Sequence, residues 1–401
     1  MRRSIDHILV THVGALPAPA DVWGHTDIDQ ARLDEAAREV VARQKEAGVD
    51  FVNEGELTKG GNWVEFVVSR LTGFEPEERS ATTANLMFAS ADWQEYSEFY
   101  QAAIGNGTLF EESGTAATQG TESNVRRDWA CSGPIEYVGQ DLLDREIQTF
   151  LTALGETPAA DAFLTSTAPS SIEVGRTNRH YEDDEAFVFA IAEAMRHEYE
   201  AIAAAGLQLQ VDDAWLAGLW DRIGIEMGIE AYRRYCEVRV EALNHALRNV
   251  PEEQVRYHLC WGSWHGPHSH DLPLKDVIDI LLKVKAQTYL FEAANARHEH
   301  EVGIWQHVSL PEGKILAPGV VSHATRLIEH PELVASRIER FAALVGPENV
   351  IASTDCGLGL RCHPQIAWGK LRALSEGAAL ASRRLLGGAN GHSVVGSRLC
   401  T

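Results

Sequence analysis

The sequence lacks the long apolar runs and the excess of positive charge that mark several large classes of protein. No apolar run approaches the roughly 20 residues that a membrane helix needs. The first apolar stretch ends before His12, which is too short for the hydrophobic region of a signal peptide. Lys and Arg number 35 against 58 Asp and Glu, and the resulting net charge of −23 repels nucleic acid and anionic lipid. We therefore expect a cytoplasmic protein with neither a nucleic-acid partner nor a membrane partner.

Cysteine is also scarce, with 6 residues in 401. Without a secretory signal, so few cysteines predict reduced thiols or metal ligands and not a disulfide framework. No Walker or dinucleotide-binding motif is present, since the glycine pair Gly357 and Gly359 does not make a phosphate loop. Hydrophobic residues make up 45% of the chain and charged residues 23%, as in ordinary globular proteins. The chemistry is therefore expected to rest on cysteines, histidines and carboxylates.

Short β-like runs alternate with longer helical patterns, as in βα units around a parallel sheet. The predicted strands are His7–Leu16, Phe51–Leu57, Ala162–Ser170, Leu207–Ala214, Val255–Trp261, Gln287–Ala293, Lys314–Ser322 and Asn349–Cys356. The predicted helices between them include Ala31–Gly48, Asp184–Ala205, Pro273–Lys285 and Pro331–Val345. Eight strands with intervening helices predict an α/β fold, the (β/α)8 TIM barrel.

The segment Thr58–Asp161 separates the second and third predicted strands by far more than an ordinary connection. We expect residues 1–401 to form a single barrel domain, with 58–161 as a long insertion after the second strand; two unrelated domains are the alternative. Within the insertion we predict helices at Asn62–Gly73 and Asp92–Ile104, and a strand or hairpin at Ser132–Gly139. The stretch Gly105–Arg127 is predicted to be a solvated loop, with a lid over the site as the alternative.

The sharpest chemical signal is RYHLCWGSWHGPHSHD, Arg256–Asp271. His258 and Cys260 are two residues apart on a predicted strand, so that both side chains project from the same face. In a barrel, that face leads to the active-site mouth at the carboxyl ends of the strands. An imidazole and a thiolate held there make half of a zinc site. Taken alone, the pair is more typical of a buried cysteine beside a hydrogen-bonded histidine.

Two further ligand-type residues end other predicted strands. Glu292 follows Leu290 and Phe291, where a carboxylate is costly unless it is paired or bound to a metal. Cys356 ends the last strand, before glycines that permit a tight turn. Because the carboxyl ends of barrel strands meet at one mouth, these four residues are expected to converge. Five more histidines lie in the loops after the strands of Cys260 and Glu292: His265, His268, His270, His298 and His300. We expect each of them on the surface, with a place in the substrate pocket or adventitious metal binding as the alternatives.

These residues resemble the zinc site of cobalamin-independent methionine synthases, whose catalytic half is a (β/α)8 barrel. The resemblance extends along the chain. THVGALPAP (Thr11–Pro19) resembles the family's T-x-x-G-S-x-P opening and NEGE (Asn53–Glu56) its Gly-Glu strand end. QVDDAWL (Gln210–Leu216) resembles its Asp-Glu-Pro-Ala strand, and APGVVSH (Ala317–His323) the segment with a proposed proton-donor histidine. The chain is similar also to epoxyalkane:coenzyme M transferases, which share the barrel and the zinc.

The resemblance implies a role for each matching residue. It places Zn²⁺ on His258, Cys260, Glu292 and Cys356. It assigns thiol binding to Gly14, Ala15, Glu56 and Asp212, and catalysis to His323. Three positions depart from the methionine synthase pattern: Ala15 stands in place of the usual serine, Ala214 in place of proline, and His323 one residue early. These departures concern the substrate side of the site.

The ligand set indicates the chemistry. Two thiolates, a carboxylate and a neutral imidazole on Zn²⁺ sum to −1, which makes the metal a poor activator of water but leaves a bound thiolate electron-rich. We therefore predict a zinc-dependent thiol S-methyltransferase of the cobalamin-independent methionine synthase type. It would activate a homocysteine-like thiol as a zinc thiolate for attack on a methyl donor such as 5-methyltetrahydrofolate.

Two other functions stay open. One is an epoxide-opening thiol transferase of the coenzyme M type, and the other is a zinc protein that binds thiols without turnover. In each case the partners are small molecules, namely a thiol and an alkyl or methyl donor. A homo-oligomer is left open.

Overall fold

The computed structural model describes residues 1–19, 21–22, 28–59, 63–77, 90–109, 128–359 and 361–387. The strands are β1 (Phe74–Glu77), β2 (Asp128–Cys131), β3 (Phe163–Thr167), β4 (Arg176–Asn178), β5 (Gln208–Asp213), β6 (Val255–Leu259), β7 (Thr288–Phe291), β8 (Ile315–Val321) and β9 (Ser353–Thr354). The α-helices are α1 (Gln30–Glu46), α2 (Trp63–Val68), α3 (Ala91–Glu95), α4 (Ser97–Gly105), α5 (Gln140–Leu154), α6 (Pro169–Glu173), α7 (Asp184–Ala204), α8 (Ile225–Met227), α9 (Ile229–Ala246), α10 (Ile278–Leu281), α11 (Pro331–Val345) and α12 (Pro364–Leu385).

Six parallel strands form the main sheet in the order β3-β5-β6-β7-β8-β9. Two extended segments near the start of the chain close this sheet into a ring. Val10 forms a parallel bridge with Ala352 beside β9, and Val52 forms one with Ala162 beside β3. The amide of Phe51 donates to the carbonyl of Val10 and so joins the two segments. The predicted (β/α)8 barrel is confirmed, although the first two predicted strands are reduced to single bridges.

The barrel helices follow from local signals. Asp29 caps α1 by accepting a hydrogen bond from the amide of Arg32. Leu33, Ala36 and Val40 form the buried stripe of that helix, as the 3.6-residue period requires. Helix α11 has the predicted bounds, with Pro in its first turn.

The predicted helix Pro273–Lys285 is wrong over much of its length. The structure has a 3₁₀ turn at Leu274–Asp276 and then the short helix α10. Val277 separates them with φ −136°, outside the helical region. Its side chain is buried, as are Leu274 and Ile278 on either side. The burial of these apolar side chains is achieved by two short turns, so the apolar pattern does not require a continuous helix.

Small apolar and aromatic side chains fill the barrel interior. They form a buried cluster that comprises Leu9, Val13, Phe51, Phe163, Leu290, Ile315, Ala317 and Ile351. A second and larger cluster lies between the strands and the surrounding helices. The carboxyl ends of the strands are left to carry polar side chains, which is where barrel enzymes place their sites.

The segment between the second and third barrel strands carries its own structure. Strand β1 pairs antiparallel with β2, and β2 pairs parallel with β4, in a three-stranded sheet separate from the six-stranded sheet. Helix α2 lies inside the predicted Asn62–Gly73, and α3 and α4 together cover the predicted Asp92–Ile104. Strand β2 ends just before the predicted Ser132–Gly139, within which Tyr137 forms an antiparallel bridge with Leu71. The division into one barrel domain with an insertion at 58–161 stays a prediction. Most of the predicted loop Gly105–Arg127 lies outside the described residues.

Arg70, which follows α2, ties this segment to the barrel helices. Its guanidinium lies 2.7 Å from a carboxylate oxygen of Glu146 on α5 and 2.8 Å from one of Glu198 on α7. All three side chains are buried.

In the described part of the chain, no helix is both long and apolar enough to cross a membrane.

Candidate metal centre and active site

The four predicted metal ligands lie together at the carboxyl ends of the barrel strands. His258 is on β6, Cys260 directly follows it, and Cys356 follows β9. One potential ligand atom from each of these three lies within 4.8 Å of the others. The sulfur atoms of Cys260 and Cys356 are 3.9 Å apart, and Glu292 Oε1, after β7, is 3.9 Å from the Cys260 sulfur. The strand positions alone had predicted this convergence.

The atoms of this cluster fit a zinc ion. Nδ1 of His258 lies 2.8 Å from Asp212 Oδ1, whereas Nε2 is buried and has no hydrogen-bond partner in the described structure. A buried ring nitrogen without a partner is expected of a metal ligand, because it would otherwise carry an unmet desolvation cost. Two sulfur ligands of a tetrahedral zinc, each about 2.3 Å from the metal, lie about 3.8 Å apart. The observed separation of 3.9 Å agrees with that value.

The cysteines and the carboxylate strongly perturb one another. The hydrogen bond from the Cys260 thiol, opposed by burial and aided by His258, lowers the pKa of Cys356 to about 5. The same hydrogen bond, together with burial, raises the pKa of Cys260 well above its usual value. Burial, opposed by His298 and reinforced by Asp355 and Cys356, raises the pKa of Glu292 to about 8. A divalent cation bound between such groups would stabilise their anionic forms and lower their pKa values.

Groups that the sequence reasoning missed hold the ligands in place. Asn295 Nδ2 donates to Glu292 Oε2 at 2.7 Å. The hydroxyl of Ser263 lies 2.9 Å from the Cys356 sulfur. Asp355 accepts the amides of Ala293 and Ala294 at 2.7 and 2.8 Å, which ties the end of β9 to the end of β7. Of these supporting residues, only Asp355 could have been noticed in the sequence, because it directly precedes the predicted ligand Cys356.

The residues assigned to thiol binding line the same mouth. Gly14 has φ +149°, and a Cβ built there would lie 2.1 Å from Oε1 of Glu56. Glu56 itself has φ +57°, a conformation that non-glycine residues seldom adopt. Burial, opposed by the Lys59 ammonium and reinforced by Asp212, raises the pKa of Glu56 to about 8. Glu56 therefore combines a close approach to Gly14 with an uncommon backbone conformation.

Ala15 connects this region to the Cys356 turn. Its carbonyl accepts the amides of Leu358 and Gly359 at 2.9 and 2.8 Å. A Cβ built on Gly357 would lie 3.0 Å from the Cβ of Ala15. The Gly14–Ala15 backbone is thereby fixed beside the segment that carries Cys356.

His323 follows β8 and is buried at the same mouth. A ring nitrogen of His323 and carboxylate oxygens of Glu292 and Asp355 lie within 4.8 Å of one another. Burial, with the charge of Arg361, holds the pKa of His323 well below its usual value. Its Nδ1 has no hydrogen-bond partner among the described residues. His323 is thus placed next to the metal-ligand cluster.

Two of the histidines expected on the surface belong to an ion-pair network in which His298 is buried and His268 is half-buried. His298 is 3% exposed and lies 3.2 Å from Asp271 and 2.9 Å from Glu301. His268 lies 3.1 Å from the same Asp271. The surface expectation is wrong for His298, because two carboxylates compensate the burial of its ring.

Residues 90–109 pack against the loop that follows β6. Asp92 accepts the backbone amide of Ser269 at 2.9 Å, and Trp264 Nε1 donates to the hydroxyl of Tyr100 at 3.1 Å. Trp93 stacks on Tyr100 with ring centroids 4.8 Å apart. The loop that carries Cys260 and Ser263 is therefore stabilised by contacts with residues 90–109, which lie outside the barrel strands.

Comparisons with known proteins agree with this geometry. Residues 165–379 match the family model described as the catalytic domain of cobalamin-independent synthase. A methionine synthase of Saccharolobus solfataricus is 24% identical over 389 residues, which cover 94% of this chain and 95% of that protein. One from Thermococcus kodakarensis is 26% identical over 220 residues, 55% of this chain and 57% of that protein.

The fold agrees as well. The structure of a B12-independent methionine synthase from Shewanella sp. W3-18-1, in complex with selenomethionine, superposes with a TM-score of 0.67. The two chains are 18% identical, and the match covers 95% of this chain and 99% of the other. On the evidence of the family match, which includes every predicted metal ligand, the chain belongs to the cobalamin-independent methionine synthase family.

Proposed function

We propose that this protein is a zinc-dependent methyltransferase that methylates the sulfur of a homocysteine-like thiol. The observation that carries the proposal is the cluster of His258, Cys260 and Cys356, with the His258 Nε2 buried and free of any hydrogen bond in the described structure. His258, Cys260, Glu292 and Cys356 would hold the metal. Bound there, zinc would supply a cation that keeps the substrate thiol deprotonated at neutral pH.

The residues around the cluster would bind and orient the amino-acid part of the thiol. Glu56 and Asp212 are carboxylates close enough for their charges to interact, and we assign them to the substrate ammonium group. The Gly14–Ala15 backbone would fix the rest of the substrate beside the Cys356 turn. The sulfur would then face the metal ligands and not the solvent.

Methyl transfer forms a sulfur–carbon bond while the bond between the methyl group and its donor breaks. The atom that leaves needs a proton, and we assign its delivery to His323. The substrate thiol releases a proton when it binds as a thiolate. His323 would take up this proton and pass it to the leaving atom, a transfer that its lowered pKa favours. A donor such as 5-methyltetrahydrofolate would present its leaving nitrogen to this ring.

Zinc content and product mass test the proposal together. Purified protein is expected to hold one zinc per chain and to convert homocysteine to a methyl thioether with 5-methyltetrahydrofolate. Cys260→Ser and Cys356→Ser should lose the zinc, whereas Cys236→Ala, a buried cysteine on α9 outside the cluster, should keep it. Full zinc occupancy and activity in both serine variants would contradict the proposal. A 2-hydroxyalkyl thioether formed from an epoxide would instead support the coenzyme M type of transferase, and thiol binding without any product would support a binding protein.

A further inference from the structure

We infer that Asp212 is a positioning residue for the metal ligand His258, in addition to its assigned role in gripping the substrate ammonium group. One carboxylate would then join the two halves of the site. This inference rests on the proposed zinc site, but not on methyl transfer. The assignment of Asp212 to the substrate ammonium group does not by itself imply a contact with a metal ligand.

The pairing of two strands brings the residues together. Asp212 on β5 and His258 on β6 are register partners in the parallel ladder, so their side chains lie side by side on one face. Oδ1 of Asp212 is 2.8 Å from Nδ1 of His258. An ionised carboxylate only accepts hydrogen bonds, so Nδ1 must carry the proton. A neutral imidazole has one such proton, and its Nε2 lone pair is left for the metal.

The Asp212 carboxylate is itself fixed in orientation. Nε2 of Gln210 donates to the same Oδ1 at 2.9 Å and also to the carbonyl of Val13. Val13 precedes Gly14, so that the thiol-binding backbone and Asp212 are held by one amide group. With both donors on Oδ1, Oδ2 is the atom available to a substrate ammonium group.

The neighbouring carboxylate does not share this task. Asp213 points to the other face of β5, where it accepts hydrogen bonds from the hydroxyls of Ser171 and Tyr257, each at 3.0 Å. It is 2% exposed, whereas the Asp212 side chain is 23% exposed and within reach of a ligand. The two adjacent aspartates can therefore be compared by experiment. Asp212 contacts the proposed metal ligand His258, whereas Asp213 contacts residues outside the metal site.

A histidine ligand whose second nitrogen donates to a carboxylate is a stronger and better oriented ligand. Removing such a partner commonly weakens metal binding by about 10–100-fold. We expect a substrate bound to Asp212 to change the affinity for the metal through this carboxylate. By linkage, the metal would then change the affinity for that substrate by the same factor.

The test measures zinc affinity by chelator competition in the absence of any thiol. Asp212→Ala is expected to lower the affinity about 10–100-fold, and Asp212→Asn, which still accepts from Nδ1 but carries no charge, to lower it less. Tyr257→Phe, which removes one hydrogen bond to Asp213, should leave the affinity unchanged. Nitrogen-15 NMR of the zinc-free protein should show the His258 proton on Nδ1, and Asp212→Ala should change that population.

The outcomes separate this inference from the proposed function. Zinc affinity within twofold of the parent protein in both Asp212 variants would overturn the positioning role and leave the methyltransferase intact. Loss of affinity in Asp212→Ala together with no methyl transfer by the parent protein would support the positioning role and contradict the proposed activity. Failure of the parent protein to bind zinc would overturn both.

Discussion

Gly14 and Glu56 are so close that one additional carbon atom would force them apart. A Cβ at Gly14 would lie 2.1 Å from Oε1 of Glu56 and 3.2 Å from the Thr165 methyl group. The glycine is therefore what allows the Glu56 carboxylate to reach its position at the mouth of the barrel.

Gly14→Ala is expected to displace Glu56 and to weaken binding of an amine-bearing thiol by about tenfold or more, equivalent to about 1.4 kcal/mol. Zinc content should not change, because the three atoms nearest to a Cβ at Gly14 belong to Glu56 and Thr165 and not to the four proposed ligands. Calorimetric titration with homocysteine measures the effect. Gly155→Ala is the control: its φ of +58° strains the backbone, but a Cβ there meets no atom within 4 Å. Equal thiol affinity in the two variants would show that the contact with Glu56 is unimportant.

Ser263 is expected to tune the sulfur of Cys356, since its hydroxyl lies 2.9 Å from that atom. A hydrogen bond withdraws electron density from a thiolate. Ser263→Ala should therefore shift the sulfur-to-metal charge-transfer band of the cobalt-loaded protein to lower energy. Because the same contact orients Cys356, its loss should also weaken metal binding severalfold. Ser263→Thr keeps the hydroxyl and should restore both properties. Identical spectra for all three proteins would refute this role.

His298 is expected to make stability fall at alkaline pH. Burial opposes protonation of its ring, but the hydrogen bonds to Asp271 and Glu301 outweigh burial and raise the pKa to about 10. Because the folded-state pKa lies above the usual value of 6.5, the stabilisation is complete below about pH 6.5 and is lost as the pH rises through about 10. Urea midpoints measured from pH 6 to 10 should decline, and His298→Gln should flatten this decline. An equal decline in the variant would assign the effect to other groups.

Arg70 is expected to matter for stability more than for chemistry. It pairs with Glu146 and Glu198, and all three side chains are buried. Arg70→Met would remove the shared ion-pair partner of two buried carboxylates, which costs about 3–5 kcal/mol. The exposed Arg384 pairs with Glu332 and Glu339 in a similar way, and Arg384→Met should leave the free energy of unfolding unchanged. Equal losses in the two variants, measured by urea unfolding, would contradict the role of burial.

The sequence was sufficient to predict the barrel and the convergence of the four proposed metal ligands. Parallel strands place their carboxyl ends at one mouth, so His258, Cys260, Glu292 and Cys356 could be brought together from strand order alone. The first two strands were predicted too long, because the pairing observed at Val10 and Val52 is confined to single bridges. Local residue preference does not show how far a strand stays paired with its neighbours.

The residues that hold the proposed ligands in place, and the local conformations around them, could not be predicted from the sequence. The contact of Asp212 with His258 depends on the register of β5 against β6, and the contact of Ser263 with Cys356 on the path of a loop. The left-handed backbone of Glu56 is unusual for a glutamate and carries no local sequence signal. Burial of His298 depends on two carboxylates: Asp271, which lies in the loop after the preceding strand, and Glu301, which follows on the next helical turn. Such details arise from tertiary packing.

Zinc-edge X-ray absorption of the purified protein, with and without homocysteine, would show whether this site binds zinc and delivers the thiol to it. We expect a zinc shell of two sulfur atoms together with nitrogen and oxygen ligands, which gains one further sulfur when homocysteine is added. Cys356→Ser should lose this signal, whereas Gly155→Ala should keep it. An absence of zinc, or a shell whose sulfur content does not change with homocysteine, would rule out zinc activation of the thiol by these residues.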